Sequence, residues 1–176
     1  MNITVDIQVA TESGDSPEPE PIRSWIQTTL EHPRVISLLP SECKTLEKDI
    51  ELSLRIVDCD ESQELNKQFR QKDKPTNVLS FPSELPESLP FVHLGDLVIC
   101  APIVTQEALE QNKKTQNHWV HMLVHGTLHL MGFDHIDDDE AEIMEAIEIN
   151  ILSGLNIPDP YQIQLLPETA NKSGAK

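Results

Sequence analysis

The order of residues predicts an α+β domain: a small mixed β-sheet covered by helices, with a metal-binding helix at its centre. Three observations carry that expectation. Two segments near the N-terminus alternate apolar and polar residues, residues 117–131 show helical periodicity, and three histidines at H-x3-H-x5-H spacing close that helical run. Taken in order, the chain reads strand, helix, strand, helix, strand, strand and then several helices, which favours a mixed sheet over a purely parallel one.

Residues 3–9 read Ile-x-Val-x-Ile-x-Val, the pattern of a strand with one buried face. Residues 11–21, rich in Glu, Ser, Pro and Gly, read as a flexible linker. Ile22, Trp25, Ile26, Thr29 and Leu30 recur at helical spacing, and Pro33 discourages continuation. A short helix or turn is expected from Pro40 through Leu46, then a second strand over Ile50 to Asp58. Asp60 is expected to cap the following helix, with Leu65 and Phe69 turned inward. Asn77 to Phe81 forms a short strand closed by Pro82, and the proline-rich stretch to Pro90 an exposed excursion. Leu94 to Ile99 is another strand, entered through Gly95-Asp96, and helices cover Glu107 to Lys114 and Asn117 to Met131. Asp137 to Glu140 open the last helix, whose stripe is Ala141, Met144, Ile147 and Ile151 with Ile143 beside it. From about 162 to 176 a polar tail is expected to fray.

A chain of 176 residues suits one domain spanning 1–176. Aromatics at 4% place the weight of the core on Leu, Ile and Val. No apolar run approaches the ~20 residues of a membrane span, and the start Met1-Asn2-Ile3-Thr4-Val5-Asp6 lacks the order of a signal peptide. Cys43, Cys59 and Cys100 are odd in number and form no C-x-x-C pair, which fits reduced thiols in the cytoplasm. The net charge of −17 argues against a protein that coats nucleic acid. Its distribution softens the objection, because Lys67, Arg70, Lys72 and Lys74 lie close together, opposed there only by Asp73. Such a loop can grip a few phosphates, although a merely solvated loop would read the same.

His125 and His129, four apart on a helix, are neighbours on one face. Gly132 can take the left-handed conformation that ends a helix, and the chain then turns back to bring His135 to the same ion. Three imidazoles with an open fourth position describe a catalytic zinc site rather than a closed structural one. The spacing matches the metzincin pattern H-E-x-x-H-x-x-G-x-x-H, except that Gly126 stands where those peptidases carry their glutamate base. A bound ion still lowers the pKa of its water towards ~7, so a hydrolase is expected and a zinc peptidase is not. His121 shares the face of His125 one turn earlier and is expected to support the ligands or line the cleft, with a ligand role as the alternative. Asp134 is expected to orient a ligand histidine. The sequence assigns no role to His93 or His118 beyond surface or cleft.

Two stretches, His125 to His135 as HGTLHLMGFDH and Asn66 to Phe81 as NKQFRQKDKPTNVLSF, resemble the bacterial YbeY family of rRNA maturation endoribonucleases. Leu94-Gly95-Asp96 and Asp159-Pro160-Tyr161 support the similarity, which spans nearly the whole chain. The resemblance implies a single α+β domain with one Zn2+ on His125, His129 and His135. It further implies cleavage of single-stranded RNA, in trimming the 3′ end of small-subunit rRNA and in ribosome quality control. Arg70 corresponds to the functionally important arginine of the family's R-G-K-D-K-P-T motif, with Lys67, Lys72 and Lys74 as further RNA contacts. Gln71 replaces the usual glycine, and Phe133 the common tyrosine, which removes a hydroxyl. Expected partners are rRNA and proteins of the small ribosomal subunit, with no membrane. Two other readings remain open: a zinc hydrolase of peptides or small molecules, and a ribosome assembly factor whose metal is mainly structural.

Overall fold

Four strands and seven helices make up a computed structural model that describes residues 1–45, 47–86 and 88–162. Strand β1 (Ile3–Ala10) lies parallel to β2 (Asp49–Val57), and β2 parallel to β4 (Phe91–Cys100). The short β3 (Val78–Pro82) pairs antiparallel with β4 and forms an edge, giving the order β1-β2-β4-β3. The sheet is therefore mixed, as expected. Both parallel steps need crossovers. The first runs through α1 (Pro19–Leu30), α2 (Pro33–Ile36) and α3 (Ser41–Lys44), the second through α4 (Cys59–Arg70).

Alternation decides which face each strand gives to the core. Ile50, Leu52, Leu54 and Ile56 of β2 are buried on the face covered by α1 and α6 (Thr115–Leu130). The other face carries a smaller cluster of Val57, Leu79, Val98 and Cys100, with Leu65 and Phe81 packed against it. Edge strand β1 buries only Val5 fully, and its last apolar residue before Ala10, Val9, is exposed. Helix α6 is buried nearly all round, with Trp119, Val120, Leu123, Val124 and Leu128 inside, as suits a helix held between layers. Helix α5 (Ala101–Glu110) precedes it and α7 (Asp138–Gly154) packs after it.

Several boundaries differ from the sequence reading. Helix α1 begins at Pro19, so the expected linker over 11–21 ends earlier: proline near a helix start loses no bond, because its missing N–H would be unpartnered there. Pro33 likewise starts a helix as well as ending one. Asp58, not Asp60, is the cap position of α4, and its carboxylate turns away to accept from the Thr11 hydroxyl and the Glu12 amide. Phe69 is 56% exposed rather than inward; Ser62 and Asn66 fill the buried side of α4 and bond the 74–76 backbone. Strand β4 starts at Phe91, and Gly95 sits inside it at φ 134° where the pairing with β2 slips. A Cβ there would lie 2.2 Å from the Phe81 carbonyl, so only glycine fits. Helix α5 starts at Ala101, immediately after β4, and ends at Glu110. Ile143 is exposed, while Asp137 caps α7 by accepting from the Glu140 amide at 2.9 Å. Leu46 and the tail from 163 onwards lie outside the described residues.

Candidate metal centre

Helix α6 presents His118, His121, His125 and His129 along one side, at i, i+3 and i+4 steps that stack side chains on a single face. The helix ends as the sequence predicts. Gly132 adopts φ 86°, its amide bonds the His129 carbonyl at 3.0 Å, and the Phe133 amide bonds that of Leu128 at 3.1 Å. This cap reverses the chain. Asp134 then accepts the His135 amide at 2.7 Å, so it fixes the backbone of His135 rather than its ring.

The result is three imidazoles whose donor nitrogens all lie within 4.8 Å of one another, a group able to hold a metal ion. The Nε2 atoms of His125 and His129 are 3.1 Å apart. Two nitrogens on one tetrahedral zinc stand about 3.3 Å apart, given Zn–N bonds of ~2.05 Å. The residues present thus fit such an ion. Burial, and then the neighbouring His125 and His135, push the His129 ring down to about 4, which keeps its lone pair free at neutral pH.

Behind the histidines stands Glu148 of α7, with no exposed surface. Its carboxylate accepts from His125 Nδ1 at 2.7 Å, faces His121 Nε2 at 3.4 Å and receives the Tyr161 hydroxyl. Burial alone would raise its carboxyl, but the hydrogen bonds from His121 and His125 outweigh it and hold it at about 2. A carboxylate at Nδ1 leaves the His125 proton on that nitrogen and turns Nε2 towards the cleft. His121 belongs to a second grouping, with His125 and Glu148. His118 is buried and lines a neighbouring cleft with His121, as one of the two expected placements has it, and pairs with Glu107 at 2.7 Å, which Asn77 also bonds. His93 belongs to neither grouping and faces Asp96 at 3.9 Å.

Arg70 and Lys72 line the same cleft, of about 680 Å³, as His125, His129 and His135, together with Asn77, Ser80 and Phe133. Arg70 ends α4, and Gln71 caps it in the left-handed region at φ 59°, so the turn keeps the form a glycine would take. Lys67 is engaged with Asp73 at 2.7 Å on the outside of the loop. Lys74 does not line the cleft; its carbonyl receives the Asn66 side chain. Of the three lysines read as RNA contacts, only Lys72 is brought to the site.

Gly126 faces the sheet rather than the cleft. A Cβ there would meet Leu97 at 2.9 Å and Val78 at 3.1 Å. A larger side chain in that position would require the buried Leu97 and Val78 side chains to shift. The sequence reading missed Glu148 and Glu107. The available signal for Glu148 was a lone carboxylate inside the apolar stripe, four residues after Met144 and next to Ile147.

Among the described residues no helix is long and apolar enough to cross a membrane. A family profile described as endoribonuclease YbeY matches residues 10–156. The endoribonuclease YbeY of Idiomarina loihiensis is 48% identical over 161 residues, covering 92% of this chain and 93% of that protein. That of Colwellia psychrerythraea is 49% identical over 161 residues, covering 92% and 98%. A solution structure from Thermotoga maritima aligns at 24% identity and TM-score 0.49, over 90% of this chain and 99% of that one. The profile match and the sequence identity to the two bacterial relatives, over residues that include the histidine cluster and the Arg70 turn, show that the chain belongs to the YbeY family.

Proposed function

We propose that the chain is a metal-dependent endoribonuclease specific for single-stranded RNA. It would act in the cytoplasm as one domain, in 3′-end maturation of small-subunit rRNA and in ribosome quality control. The observation that carries this reading is the cleft itself: three imidazoles able to share a metal ion, with Arg70 and Lys72 lining the same cleft. One zinc ion on His125, His129 and His135 would supply Lewis acidity and an activated water. Imidazole ligands with an open position suit that role.

The chain's own residues divide the remaining work. The planar guanidinium of Arg70 grips a phosphate through two parallel N–H donors and stabilises charge that builds on its oxygens. Lys72 adds a second positive charge beside it. Asp73 is turned outwards to Lys67 and Gln63, so the loop's carboxylate does not oppose the substrate. Glu148 holds His125, and Asp134 holds the His135 turn. The acidic remainder of the chain repels long duplex and offers a surface to basic proteins of the small ribosomal subunit.

The test is cleavage of a labelled single-stranded RNA and its DNA counterpart by the wild type, Arg70→Ala and His129→Ala. The expected result is RNA cleavage by wild type alone, with both variants folded. Equal cleavage by all three would expose a contaminant and favour an assembly role. Turnover of peptides with RNA intact would favour a zinc hydrolase of other substrates.

A further inference from the structure

Phe69 is 56% exposed, one residue before the arginine that lines the cleft. Its ring meets that of Phe81 edge to face, with centroids 4.9 Å apart and planes at 65°. Phe81 is itself anchored from below on the cluster of Val57, Leu79, Val98 and Cys100. Along β3 the residues alternate: Val78, Ser80 and Pro82 line the cleft, while Leu79 and Phe81 take the opposite face. Because β3 is an edge strand, the cleft-lining face and the face carrying Phe81 meet at the rim of the sheet. A scattered exposed phenylalanine is ordinary. This one is held by a second ring beside a phosphate-gripping arginine, which is the arrangement of a stacking platform next to a backbone funnel.

We propose that Phe69, propped by Phe81, is a nucleobase subsite: it stacks an unpaired base of the RNA whose phosphate Arg70 holds. The charges agree with such an occupant. Among the described residues Arg70 and Lys72 form no ion pair, whereas Lys67 is neutralised by Asp73 away from the cleft. The strand of RNA would cross the rim at β3, its backbone on the basic side and one base turned onto the ring. Only a base free of a duplex can do this, so the subsite adds a reason for single-strand preference. It does not read sequence, since every base has a stacking face.

The inference rests on the endoribonuclease reading, and the steady-state kinetics of single-stranded RNA cleavage by the zinc-loaded protein test it. Phe69→Ala and Phe69→Leu should each raise KM about 5- to 150-fold, with kcat within about twofold, as the loss of one stacked base predicts. Phe69→Tyr should restore KM. Leucine keeps the apolar cover over Phe81, so a shared loss with alanine is not a folding effect. An RNA carrying one abasic site should show, at a single position, a raised KM for wild type and no further rise for Phe69→Ala. If wild type cleaves RNA and the alanine and leucine variants keep its KM, or lose only kcat, the subsite is wrong and the enzyme reading stands. If wild type does not cleave RNA, both fall.

Discussion

Glu148→Gln isolates what the buried carboxylate does. In the native chain it has no exposed surface and serves His125, His121 and Tyr161 at once. A glutamine keeps the shape and can still accept the His125 proton, but its amide N–H2 replaces one acceptor facing His121 and Tyr161. One mismatched buried polar contact costs about 1–3 kcal/mol of stability. Glu148→Ala leaves all three partners without their acceptor, and breaking a buried charge from its partners costs about 3–5 kcal/mol. Loss of a residue that orients a metal ligand costs about 10- to 100-fold in metal affinity. The assay is zinc titration by calorimetry together with urea unfolding of the metal-free protein from pH 2 to 8. The sign of the pH effect comes from the carboxyl being depressed from 4.5 to about 2. Its contribution is complete above pH 4.5 and drains away as pH falls towards about 2. Glu148→Gln should lose that part of the slope. Zinc affinity within twofold of wild type for both variants would refute the orienting role.

Three further outcomes are expected from single residues. Gly126→Glu, which restores the metzincin pattern, should cost more than about 3 kcal/mol and yield unfolded or aggregated protein, because the side chain meets Leu97 and Val78; a melting temperature unchanged from wild type would contradict this. Gln71→Gly should stabilise the fold by about 0.5–1 kcal/mol, or about 1–4 °C in melting temperature, by relieving a left-handed non-glycine residue at φ 59°. His129 is depressed from 6.5 to about 4 in the fold, so its neutral form contributes stability above pH 6.5 that is lost as pH falls towards about 4. His129→Asn should flatten that window in the metal-free protein, measured by denaturant midpoint against pH.

How far the sequence could be read depended on whether a residue's role is local. The i, i+4 pair His125 and His129, the glycine cap at Gly132 and the strand alternation of β2 are set by a few neighbours, and the structure shows each. Helix starts were harder, because Pro19 and Ala101 carry no apolar periodicity of their own and take their state from the helical turns C-terminal to them. Gly95 read as the entrance to a strand because its bulge exists only against the Phe81 carbonyl of a neighbouring strand. Glu148 and Glu107 escaped for the same reason: each meets its histidine from another helix, 23 and 11 residues away in the chain. The arrangement of the basic loop was not legible in composition, since charge counts do not show that Asp73 pairs with Lys67.

On the proposed reading the three-histidine centre and Arg70 together cut RNA. Chelation and then readdition of zinc tests it most directly. Single-stranded RNA cleavage should vanish when the metal is removed and return at one equivalent of zinc for wild type. His129→Ala should not recover at that ratio, and Arg70→Ala should bind the zinc without recovering cleavage. Full cleavage by the stripped protein, or recovery by either variant, would contradict the account.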